Sequence, residues 1–112
     1  MAPFRIRRRD VVVACDLTPV QATDRLGAWQ DLRARFATGS GPIDGGARLW
    51  LRPEGAADAE ALAREEATCC AFLDIEGAIV NGRLRVDLTC PVPEGESVAR
   101  ALVGLRDDPA SQ

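Results

Sequence analysis

Apolar and polar residues alternate along this chain with two periods, and the switches between them divide it into elements. Asp10 to Leu17 is a β-branched run in which Val11, Val13, Cys15 and Leu17 share one face and Val12 and Ala14 the other, which predicts a strand buried on both faces. Thr18 followed by Pro19 is a helix start, with a hydroxyl to cap and proline in the first turn. Ala22, Leu26, Trp29, Leu32 and Phe36 then recur at helical spacing, so this helix is expected to cover a sheet with its Trp29 side. Ala37 to Gly46 holds four glycines and Pro42 and reads as a loop. Ala47 to Arg52 sets Ala47, Leu49 and Leu51 against Arg48, Trp50 and Arg52, the pattern of a half-buried strand.

Pro53 to Ala57 breaks the chain, Asp58 is a candidate cap, and Ala59 to about Phe72 predicts a second helix. Two strands follow, Leu73 to Val80 and Arg83 to Cys90, joined by Asn81 and Gly82. Both of those residues tolerate positive φ, so the dipeptide between apolar runs is a hairpin signal. In the second of these strands Leu84, Val86, Leu88 and Cys90 alternate with Arg83, Arg85, Asp87 and Thr89, which directs Cys90 to the core. Pro91 and Pro93 end the strand, and a last helix is expected from about Glu96 to Leu105, with Val98, Leu102 and Leu105 inward. The order β-α-β-α-β-β-α predicts an α+β two-layer sandwich, with a four-stranded mixed or antiparallel sheet and a C-terminal hairpin plus helix. Residues 1–112 read as a single α+β domain, with 1–9 a basic N-terminal extension and 107–112 a frayed tail.

Composition narrows the chemistry. The chain has 112 residues, no His and no Tyr, and every one of its 14 basic residues is Arg. The commonest general base, the commonest zinc nitrogen ligand and the Schiff-base nucleophile are therefore missing. Net charge is −3 with Arg spread along the chain, which makes no general electrostatic case for nucleic acid, and the run Arg5, Arg7, Arg8, Arg9 reads as a solvated tail or strand edge. No apolar run approaches the ~20 residues that span a bilayer, and the apolar stretch after the basic run is too short for an export signal, so no membrane partner and a cytoplasmic location are expected. Four cysteines in such a chain are expected to be reduced.

The one strong chemical feature is the vicinal pair Cys69 and Cys70, one helical turn after Glu66. On a wheel at ~100° per residue, Ala59, Leu62, Ala63, Cys69, Cys70 and Leu73 form one stripe, with Glu66 near its middle. A carboxylate thus falls on the core-facing side, one turn below both thiols. An unpaired ionised carboxylate there costs several kcal/mol unless a partner, a proton or a cation compensates it. On one reading Glu66 pairs with an Arg and the cysteines are small hydrophobes. On the other the thiols form a soft-ligand site, with Glu66 as ligand, proton acceptor or orienting group. Adjacent cysteines are poor partners for a mutual disulfide, because their Cα atoms sit ~3.8 Å apart, but together they can hold a large soft ion. A closed tetrahedral zinc site needs further ligands, for which Cys90 is a candidate by topology; Cys15 joins only if the first two strands run antiparallel.

The segment Glu66, Cys69, Cys70, Phe72, read as Glu-x-x-Cys-Cys-x-Phe and followed by two strands and a short helix, resembles a group of small uncharacterised bacterial proteins with that signature. The opening Cys15, Asp16, Leu17, Thr18, Pro19 is similar to their Cys-x-Leu-Thr-Pro start. The group often has proline after the double cysteine where this chain has Ala71, and Cys90 lies outside the pattern. The resemblance, over most of residues 11 to 105, implies handling of thiophilic metals through Cys69 and Cys70, with Cys15 as a possible addition.

Three functions follow as expectations. The first is a soft-metal (Hg, Cu(I), As or Zn) binding protein that acts as buffer, carrier or sensor accessory and needs no catalysis. The second is a thiolate-using enzyme with Glu66 as proton shuttle. The third is a structural domain, with a homodimer through an open sheet edge among its forms and with inert buried cysteines.

Overall fold

The computed structural model describes residues 3–9, 19–69 and 72–105. Its elements are β1 (Phe4–Ile6), α1 (Pro19–Phe36), β2 (Ala37–Ile43), β3 (Gly46–Leu51), a 3-10 turn at Pro53–Gly55, α2 (Ala56–Cys69), β4 (Asp74–Val80), β5 (Arg83–Thr89) and α3 (Pro93–Leu102). The strands form one antiparallel sheet in the order β1-β4-β5-β3-β2. The α+β class therefore holds, but the described residues form a sheet of five strands instead of four.

Neither edge strand was expected, and β2 lies where the sequence predicts a loop. Glycine, serine and proline supply little β propensity, and such a segment is tolerated at a sheet edge because one side of its backbone needs no partner. The connection to β3 is Asp44 and Gly45 between the paired Ile43 and Gly46, with Gly45 at φ 80°. This turn has positive φ only at its glycine, whereas in the turn that joins β4 to β5 both Asn81 and Gly82 have positive φ, 52° and 79°, as expected.

The opposite edge is β1. It lies within the segment read as a basic extension and pairs Phe4 with Gly77 and Ile6 with Ile75. Phe4 is buried, so alternation of Phe4 and Ile6 with Arg5 and Arg7 carries a real strand period inside the basic run. The strand expected over Asp10 to Leu17 lies outside the described residues.

Alternation sorts the sheet into two unlike faces. Ala47, Leu49 and Leu51 on β3, Leu84, Val86 and Leu88 on β5, and Ile75 on β4 are buried against the helices. Burial of each such side chain stabilises by about 1.5–3 kcal/mol. α1 contributes Trp29 and Leu32, α2 contributes Ala59, Leu62 and Ala63, and α3 contributes Ala99 and Leu102. Leu26, expected on the inner stripe of α1, is exposed. The inward line runs instead through Arg25, Trp29, Leu32 and Phe36, at steps of four, three and four residues, with a guanidinium in its first place.

Helix limits differ by a turn from those expected. α2 starts before Asp58, straight from the 3-10 turn, and α3 starts at Pro93 with Val92 extended before it, the position where proline's missing N–H and fixed φ cost nothing. No described helix is long and apolar enough to cross a membrane.

Candidate functional site

Glu66 is the only buried charged residue of the described core, at 2% exposure. α2 presents it to the α1 interface on the stripe that also carries Ala59, Leu62 and Ala63. Two donors from α1 meet it there. Arg25 Nη1 donates to Glu66 Oε2 at 2.9 Å, and Trp29 Nε1 donates to the same oxygen at 3.2 Å. The Arg25 side chain is itself only 15% exposed.

Low dielectric strengthens this pair, but desolvation of both charges opposes it, so its net contribution is far smaller than its Coulomb energy. Its larger effect is on geometry. Two hydrogen bonds from positions one turn apart on α1 set the side chain of Glu66 and, through it, the rotation of the last turns of α2 against α1. Sequence reading placed Glu66 correctly and left its partner as an unnamed Arg. The spacing of Arg25 and Trp29 at i and i+4 was the available signal, since it puts a guanidinium and an indole N–H on one helix face.

Cys69 is the last residue of α2, three residues and so about one turn beyond Glu66. Cys70 and Cys15 lie outside the described residues, and so does the side chain of Cys69. The end of α2 is held by Arg9, whose Nη2 donates to the carbonyl of Ala67 at 2.7 Å. That carbonyl belongs to the last turn, where intrahelical donors run out, and a guanidinium there also complements the negative end of the helix dipole. Arg9, Arg64, Ala67, Thr68 and Ile6 line a shallow cleft beside this turn.

Cys90 is a free thiol, 2% exposed. It follows the end of β5, and its N–H donates to the Gly45 carbonyl at 2.8 Å. The first turn of α3 lies directly over it: a Cβ built on Gly95 would meet Cys90 Sγ at 2.2 Å and Phe72 Cδ2 at 3.3 Å. The register Asp74 to Thr89 carries Leu73 and Cys90 to the same end of the sheet. Among the described residues, no three His, Cys, Asp or Glu side chains are grouped so as to hold a metal ion.

The sheet face away from the helices carries a second constellation. Arg48 grips Asp87 through two bonds of 2.8 and 3.1 Å, which, with the carboxylate's charge, raises the Arg48 pKa against a smaller opposing effect of burial. Arg85 bonds Glu76 at 2.9 Å, and Arg5 Nε bonds Glu76 at 3.0 Å. The buried Nε of Arg85 makes no hydrogen bond, although Asp87 Oδ2 is 3.4 Å away. Together these side chains form a chain of ion pairs across β3, β5, β4 and β1.

The fold and these two constellations define a two-layer α+β sandwich with a clamped carboxylate under its helices and an ion-pair ladder on its open face. Comparison with protein families, with curated proteins and with solved structures finds no match.

Proposed function

We propose that this chain binds a thiophilic metal ion through the vicinal thiols of Cys69 and Cys70, as a buffer, carrier or sensor accessory. The observation that carries the reading is the clamp on Glu66. A buried carboxylate secured by two donors from a neighbouring helix, one turn before adjacent cysteines at a helix end, is a costly arrangement for packing alone. It supports the reading through a helix end tied to its neighbour and a carboxylate one turn before the cysteines in sequence, a group that would orient a thiol or accept its proton on binding. Hg(II) and Cu(I) accept two or three sulfurs, whereas As(III) takes three and Zn(II) four ligands, so Cys90 and Cys15 are the further sulfurs to be tested.

A second reading draws on the same salt bridge. Arg25 fully accounts for the charge of Glu66, and Cys90 sits among apolar neighbours, as both would in a structural or dimerising domain with inert thiols. An enzyme that uses one thiolate with Glu66 as proton shuttle is the third.

Native mass spectrometry of the reduced chain, titrated separately with Hg(II), Cu(I), As(III) and Zn(II), separates them. One-to-one uptake of a soft ion, lost in Cys69→Ser and in Cys70→Ser, is the expected result. Uptake indifferent to both substitutions, or none, favours the structural domain.

A further inference from the structure

The helices cover one face of the sheet, and no described helix covers the other. On that open face lie Arg5, Arg48, Arg83 and Arg85, joined at the β1 end by Arg7 and Arg8. Only Asp74, Glu76 and Asp87 oppose them there, so arginines outnumber carboxylates by three on this face of an acidic chain. Depth adds to the imbalance. Arg5, Arg8 and Arg48 are each more exposed than the carboxylate they hold, and Asp87 is only 15% exposed. In these three pairs the acid lies underneath and the guanidinium edge outside, whereas Arg85 is less exposed than Glu76; Arg7 and Arg83 have no carboxylate partner among the described residues.

An aromatic ring sits within this cationic layer. Arg83 lies over Trp50 at 4.3 Å and Arg48 at 6.0 Å from the ring centroid. On the β2 side Trp50 is opposite Gly39 and Arg48 is opposite Gly41, so neither directly paired residue carries a side chain there. A Cβ at Gly39 would stand 3.8 Å from Trp50 Cδ1, which shows how close the bare strand runs to the ring.

We infer that the open sheet face binds a short single strand of nucleic acid, its phosphates on the arginines and a base against Trp50. Guanidinium forks suit phosphate oxygens, and an aromatic ring among them gives a base a stacking surface that a purely acidic peptide has no use for. The overall charge does not oppose this, because an approaching polyanion within a Debye length, roughly 8–10 Å, responds to the local face and not to the distant helix layer. The inference is independent of the thiols of Cys69 and Cys70.

Fluorescence anisotropy of labelled oligothymidylate and oligouridylate with the full chain tests it, at low and at physiological ionic strength, with polyglutamate as competitor. Expected are binding that weakens steeply with salt, about tenfold loss in Trp50→Leu with retention in Trp50→Phe, a loss in Arg83→Gln, and no change in Cys69→Ser. The ribo and deoxy arms then tell which strand is preferred. Absence of binding at low salt overturns the inference. So does binding unchanged by Trp50→Leu and displaced equally well by polyglutamate, which would make the face a dock for an acidic protein.

Discussion

The indole Nε1 of Trp29 lies 3.2 Å from Glu66 Oε2, the oxygen that Arg25 also holds. One carboxylate oxygen therefore ties two helices together through a neutral and a charged donor. Removing Arg25 leaves the buried carboxylate with the neutral Trp29 donor. Arg25→Met is expected to cost about 3 kcal/mol and Glu66→Met less, because the guanidinium left behind is 15% exposed and keeps some water, while the double substitution recovers part of the loss. Urea unfolding of the four chains measures this. Additive losses would show that the two side chains do not act as a pair.

The same contact turns Trp29 into a reporter. The chain has two tryptophans, and in a Trp50→Phe background Trp29 emits alone. A heavy soft ion on Cys69 and Cys70, one turn from the hydrogen-bonded carboxylate, is expected to quench or shift that emission in step with one-to-one uptake. Cys69→Ser removes the response. Uptake seen by mass with emission unchanged would place the ion away from the Glu66 end of α2.

Two glycines of the β2–β3 hairpin should respond in opposite directions. Gly45 has φ 80°, and the nearest atoms to an added Cβ are at ordinary contact distances, so Gly45→Ala carries backbone strain alone, about 1–2 kcal/mol. At Gly41 an added Cβ meets nothing within 4 Å and φ is not positive, so Gly41→Ala is neutral or stabilises by up to about 1 kcal/mol through the unfolded chain. Thermal unfolding of the two variants shows whether the edge strand is held by its turn. Equal effects would argue against the left-handed conformation of Gly45.

The contrast between these hairpins explains how far the sequence could be read. Around Asn81 and Gly82, alternating Ile, Val and Leu announce strands on both sides of the turn. Asp44 and Gly45 also form a two-residue turn, but the preceding Gly39, Ser40, Gly41 and Pro42 lack the alternation that marks a strand, and only pairing with β3 makes one. β1 was hidden similarly, since Phe4 and Ile6 give just two beats of the period within a run of arginines. For Glu66 the helix period sufficed to show that it points inward, because that is a local property. Its partner lies 41 residues away, and the choice of Arg25 over other arginines depends on how α1 packs. Arg48, Arg83 and Arg85 were visible in the strand period, whereas Arg5, Arg7 and Arg8 were read as a tail or strand edge. Their collection on one face is a product of strand order, which no local pattern encodes.

The thiol of Cys90 and the bare backbone of Gly95 fit each other, and this fit is separable from any role in ion binding. A methyl group at position 95 would meet Cys90 Sγ at 2.2 Å, so Gly95→Ala forces β5 and α3 apart at an otherwise closed contact. Overpacking of this kind costs about 1–3 kcal/mol, against which the better helix propensity of alanine returns about 1. In a Cys90→Ala background the sulfur is gone but the Cβ of residue 90 still stands 2.7 Å from the added methyl, so Gly95→Ala is expected to cost less than in the parent chain without becoming neutral. Cys90→Ala alone leaves a small cavity and costs less than a Leu→Ala change, which removes more atoms. Chemical denaturation of the four chains gives the coupling, and alkylation under native conditions gives a second measure, since Cys90 is expected to react only as fast as the α3 contact opens. If Gly95→Ala is equally costly in both backgrounds, the strain lies not with the sulfur but with the Cβ at position 90, 2.7 Å from the added methyl, and with the Phe72 ring edge at 3.3 Å.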